Sequence, residues 1–184
     1  MKSVYVQILI LSLLFFSVAS CIVDDDVGDS FNDGDFLNDE DDVTGIEVEF
    51  PWTDPDTGLM WSERYSTNIG GVSSLCMRKK DGDFDDWRAP TIDELRTLII
   101  NCPDTSSGGK CKISEECWLE SCFSDSCHGC ENTGDGRYSK IGDKIWLGSK
   151  TRERHNVCWF IGFTAAHIGK TNDTSPIFVR CVRN

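Results

Sequence analysis

The sequence predicts an α+β domain with two early helices, a small, mainly antiparallel sheet and disulfide-rich loops. Three observations carry this expectation. One stretch has helical periodicity with its own start signal, several short apolar runs have strand character, and cysteines crowd a segment too poor in large apolar residues to build its own core.

The clearest element starts at Thr91. Thr91-Ile-Asp-Glu94 has the form of a capping box, in which the Thr91 hydroxyl accepts from a backbone N–H and Glu94 reaches back to the helix start. Ile92, Leu95, Leu98 and Ile99 follow at spacings of three and four, one apolar stripe on a helix expected to end near Asn101, before Pro103. A second helix is expected from about Gly71 to Lys79, carrying Leu75 and Cys76. Strand-like runs are Gly58 to Trp61, Lys144 to Gly148, Val157 to Thr164 and Ile177 to Arg183, each bounded by Gly, Asp, Asn or Ser. The acidic run Asp81 to Asp86 reads as a turn, because EF-hand counting from Asp81 ends on Ile92.

The amino end sets an expected compartment. Lys2, the apolar stretch Val4 to Phe16 and then Val18-Ala19-Ser20-Cys21 have the layout of a signal peptide over 1–20. The small residues before Cys21 fit a bacterial lipoprotein processing site, at which Cys21 becomes the lipidated first residue, carrying fatty acyl groups such as palmitate. Several acyl chains, at about 0.8 kcal/mol per buried methylene, would anchor the chain to a membrane. Ile22 rather than Asp at the next position favours the outer membrane.

Charge divides the chain unevenly. Of the net −13, residues 22–49 hold twelve acids and no Lys or Arg, whereas 50–184 hold nineteen acids against seventeen bases. Residues 21–49 are therefore expected to be a disordered, self-repelling tether, and 50–184 a single, nearly neutral domain. A calcium loop at Asp29 to Glu40 matches EF-hand offsets in part. Phe31, however, stands where an oxygen ligand belongs, so the solvated spacer is the preferred reading. Near-neutrality gives nucleic-acid binding no support.

TGLMW at Thr57 to Trp61, a cysteine-bearing helix, WRAPTIDEL from Trp87, the W-x-G-S of Trp146 to Ser149 and a terminal VRCVR occur in that order. This order and spacing resembles the Lcl C-terminal domain family over about Trp52 to Asn184. That bacterial extracytoplasmic family is named after a collagen-like adhesin and is grouped with C-type lectin-like folds. Ala89 stands where Leu is common in the family, and Leu147-Gly148 where a YWSSS-like run is more usual. The resemblance implies a C-type lectin-like domain in adhesion or carbohydrate binding. It also implies that Cys76 on the first helix is tied to Cys181 on the last strand.

Besides Cys21, nine cysteines remain, and in an oxidising compartment they read as a disulfide framework. Six of them, Cys102, Cys111, Cys117, Cys122, Cys127 and Cys130, can pair in fifteen ways, and the sequence does not choose among them. Cys158 is left over, between Val157 and Trp159-Phe160, and reads as a buried free thiol. Cys127-His-Gly-Cys130 has a redox spacing without a thioredoxin-like βαβ context, and Cys122, Cys127, His128 and Cys130 are too irregular for a zinc site. No cofactor and no metal are expected.

His128, His155 and His167 lie far apart, with no nucleophile at a signature spacing, so a non-catalytic protein is expected. The ligand-binding candidates are Lys150, Arg152 and Arg154, in a loop beside Trp146 and Trp159, where they could meet sulfates or carboxylates of a glycan. The alternatives are a structural or protein-interaction envelope lipoprotein with no sugar ligand and, third, a thiol oxidoreductase.

Overall fold

The computed structural model describes residues 48–150, 157–172 and 176–184. The signal peptide, Cys21, the tether up to residue 47, the Asp29 to Glu40 run, Arg152, Arg154 and His155 lie outside the described residues, whereas Val48, near the end of the expected tether, packs against the core.

Six strands form one mixed sheet in the order β1-β2-β6-β3-β4-β5. They are β1 (Trp52–Thr53), β2 (Met60–Thr67), β3 (Trp146–Gly148), β4 (Cys158–Gly162), β5 (His167–Thr171) and β6 (Ile177–Arg183). All pairings are antiparallel except β3 with β6, where Leu147 meets Phe178. Two short helices, α1 (Val72–Arg78) and α2 (Ile92–Thr97), complete a small α+β, disulfide-rich domain.

Strand alternation gives each sheet face its own core. Leu147, Trp159, Ile161, Ile168 and Val182 point to one side, where α2 delivers Ile92 and Leu95, its C-cap Leu98 follows, and the loops deliver Cys102, Cys111 and Cys127. Ile177, Val179 and Cys181 point to the other side, against Ile69, Val72 and Cys76 around α1. Cys76 and Cys181 are bonded there, tying α1 to β6, one of the two central strands of the sheet.

The capping box at Thr91 is complete: the Thr91 hydroxyl accepts from the Glu94 N–H at 3.1 Å and the Glu94 carboxylate accepts from the Thr91 N–H at 2.8 Å. Arg88 holds the same carboxylate with two hydrogen bonds of 2.7 and 2.8 Å. The helix stops at Thr97, short of the expected Asn101. Leu98 and Ile99 keep the apolar stripe, but their backbone leaves the helix to bond the 138–140 segment, Ile100 N–H to Tyr138 O at 3.0 Å and Lys140 N–H to Leu98 O at 2.9 Å.

Three strands differ from expectation. β2 runs on to Thr67 rather than ending at Trp61, and β1 and β5 fall in stretches without an expected strand. In β2 a bulge between Trp61 and Arg64 shifts the register, so its polar residues never alternate cleanly. The bulge is functional in the fold: the Ser62 hydroxyl accepts from the Cys181 N–H at 2.8 Å and its carbonyl accepts from Arg180 at 3.0 Å. TGLMW closes the β1–β2 hairpin around buried Asp54, whose carboxylate accepts from the Thr57 hydroxyl at 2.9 Å and from Lys140 at 3.1 Å.

Candidate functional site

Cross-strand register assembles an aromatic platform over β3, β4 and β5, its inner ring, Phe160, belonging to the core cluster around α1. Trp146, Gly162 and His167 form one row across β3, β4 and β5, and Gly148, Phe160 and Gly169 form the next. All six side-chain positions share one face, since directly opposed residues point the same way. Rings and glycines alternate across the strands, leaving each ring space to lie down.

Trp146 stacks on Phe160 with centroids 4.5 Å apart and planes 12° off parallel, and the His167 ring stands edge-on to both at 5.8 and 5.6 Å. The glycines are required by this closeness. A Cβ at Gly169 would overlap the Phe160 ring, and one at Gly162 would lie 2.9 Å from Trp146 Cδ1 and inside the His167 ring. Phe160 is 7% exposed, whereas Trp146, the outer ring of the stack, is 52% exposed. A large aromatic held rigid yet half in water is the surface type that binding sites use and cores do not.

Beside Trp146 opens a groove of about 340 Å³, lined by Lys144, Ile145, Trp146, Pro176, Ile177 and Phe178. That volume is at the small end of the range for small-molecule sites. The lining is apolar apart from Lys144, which makes no ion pair among the described residues. One signal of the platform stood in the sequence as Trp146-Leu-Gly148, Phe160-Ile-Gly162 and His167-Ile-Gly169, an aromatic-aliphatic-glycine triplet on each of three strands.

His167 titrates below its ordinary range, because burial disfavours the imidazolium and His128 adds like-charge repulsion, partly offset by a hydrogen bond with the Gly162 backbone. The sign for stability follows: as pH falls, the unfolded chain takes the proton first, near its unperturbed value of about 6.5. Stability is expected to be fully present above that value and to decline as pH drops through the folded one. Urea midpoints at pH 7.5 and 5 check this, and H167Q is expected to remove that part of the dependence.

The other polar anchors hold loops in place. Arg96 is buried and donates to three carbonyls, Ile113 at 2.6 Å, Ser106 at 2.8 Å and Thr105 at 2.9 Å, which pins the Cys102–Ile113 loop to α2. Arg180 and Asp143, buried side by side, share hydrogen bonds of 2.8 and 2.9 Å, with the Phe50 ring 4.1 Å from the guanidinium carbon. No short motif announced either arginine as structural.

A model of the Lcl C-terminal domain matches residues 52–183, nearly the whole described fold. The chain belongs to the Lcl C-terminal domain family. No curated protein and no solved structure matches it.

In this Lcl C-terminal domain the cysteines form a framework in which Cys76 pairs with Cys181, Cys102 with Cys130, Cys111 with Cys127 and Cys117 with Cys122. Cys127 and Cys130 therefore belong to different bridges, and the sulfurs of Cys122, Cys127 and Cys130 are each bonded to the sulfur of a partner cysteine rather than held as thiolates. Cys158 is a buried free thiol on β4 whose pKa is pushed up to about 12 by burial. It is expected to resist thiol reagents in the folded protein and to react only after unfolding, which peptide mapping of the labelled residue would show.

Lys150 sits just past β3, where its N–H donates to Pro90 O at 2.7 Å. Its ammonium is paired with Glu115 at 2.8 Å. Of the three cations singled out in the sequence, it alone is among the described residues.

Proposed function

We propose that this Lcl C-terminal domain is a non-catalytic ligand-binding module, presented by a cell-envelope lipoprotein for adhesion or glycan binding. One observation carries the reading: Trp146 is half exposed while its ring is fixed against Phe160 and His167. A pre-set aromatic face loses little conformational entropy when a ligand covers it. The apolar groove next to it extends the contact surface, and Lys144, without an ion pair among the described residues, adds a charge at its wall.

The lipoprotein part of the reading rests on the Val18-Ala19-Ser20-Cys21 run, which would place the domain on a lipid anchor, with the outer membrane as the expected membrane. Its acidic 22–49 segment would act as a spacer from an anionic lipid surface. A protein partner without any sugar is the second reading, favoured by the apolar character of the groove lining.

Glycan arrays probed with the wild type, W146A and a K150A/R152A/R154A variant test the proposal. Wild-type binding that falls at least tenfold in W146A is expected. Binding lost only in the triple variant would move the site to the Lys150 loop. No glycan bound by the wild type would end the sugar reading, leaving a protein partner to be sought with the same W146A comparison.

A further inference from the structure

We infer that the site takes a gluco-configured pyranose bearing a 2-acetamido group and a carboxylate. This deepens the ligand-binding reading above and rests on it. Each part of that chemistry answers a feature beside Trp146.

The exposed indole face asks for a flat surface of polarised C–H groups, because the ring's π face is electron-rich. A gluco ring, with its substituents equatorial, offers axial hydrogens on both faces. Cationic groups also stack on indole. Lys144, which shares the groove wall with Trp146 and has no carboxylate within 4.0 Å among the described residues, disfavours them by repulsion.

That same unpaired ammonium is the argument for an anionic occupant. A carboxylate reaching Lys144 would make a charge-assisted hydrogen bond at the one polar point of an otherwise apolar wall. The remaining lining, Ile145, Pro176, Ile177 and Phe178, offers hydroxyl groups no donors or acceptors from its side chains. An unmodified sugar hydroxyl buried there would lose its hydrogen bonds to water without replacement. An acetamido methyl fits that wall, since it carries the ligand into the groove with carbon foremost. The volume of about 340 Å³ accommodates one such substituent and part of the ring, so the site reads a single sugar unit.

The test uses the full-length protein and N-acetylmuramic acid as the probe, followed through tryptophan fluorescence and calorimetry. Saturable binding is expected, at least tenfold weaker for the de-N-acetylated sugar and for the methyl ester of the carboxylate. W146A and K144Q are each expected to weaken it severalfold while the off-site variant L119A, at a residue 71% exposed, leaves it unchanged. Because Trp146 also packs on Phe160, K144Q and the ligand series keep the test independent of any loss of fold in W146A. Absent binding, or binding indifferent to the acetyl group and the carboxylate, overturns this ligand class. If another glycan binds in a Trp146-dependent way while the probe does not, the class fails and the ligand-binding reading stands; if no ligand ever senses Trp146, both fail.

Discussion

Removing the Cys76–Cys181 bridge in a C76A/C181A variant is expected to destabilise the domain by about 4 to 5 kcal/mol. The bond spans 105 residues of sequence, and in the chain-entropy model the cost of losing a cross-link grows with the loop it closes. Both cysteines are fully buried between α1 and β6, so the cavity left by two sulfurs adds to the effect. A C117A/C122A variant makes the comparison informative. Its bridge closes a separation of only five, for which the same model gives about 2 kcal/mol. Urea denaturation of both variants without reductant would show the order; equal losses would mean that loop length does not set the contribution here.

The second large effect is expected at Asp143. Arg180 is 6% exposed and Asp143 3%, and each satisfies the other through two hydrogen bonds, with Arg64 a further 3.6 Å from the carboxylate. D143A leaves the Arg180 guanidinium buried with only the Ser62 carbonyl as a hydrogen-bond acceptor, and breaking a buried pair in this way costs about 3 to 5 kcal/mol. Adding R180M to D143A is expected to recover part of that loss, because the stranded charge is removed as well. A double-mutant cycle by urea denaturation measures the recovery. Strictly additive losses would show that the pair is not coupled.

What could be read from the chain followed the range of the interaction. The capping box at Thr91 needs only residues three apart, so the sequence states it directly. Ile177 to Arg183 reads as a strand because neither face of β6 meets water for most of its length, and its apolar residues continue unbroken around Arg180 and Cys181. β2 is legible only as far as Trp61, because MWSERYST carries little apolar alternation and the bulge between Trp61 and Arg64 breaks its period. The end of α2 was misplaced for a related reason. Leu98 and Ile99 are buried whether their backbone is helical or extended, so periodicity alone does not register the switch to pairing with 138–140.

The site was harder still. Trp146, Phe160 and His167 come from three strands, and only the register of Trp146 with Gly162 and of Phe160 with Gly169 brings their rings together. The pairing of the six loop cysteines is equally tertiary: Cys102 reaches Cys130 over Cys111–Cys127 because Arg96 and α2 fix where the loop begins. Lys150 was visible as a charge but not as one already paired, since Glu115 is distant in sequence and adjacent in space.

The six tryptophans allow the central claim to be tested directly. Indole N–H resonances recorded by NMR during titration with a glycan that binds the domain should show one large displacement, at Trp146, with buried Trp61, Trp87 and Trp159 nearly still. A Trp146 resonance that stays in place while the ligand saturates the protein would contradict the account and put the binding surface elsewhere.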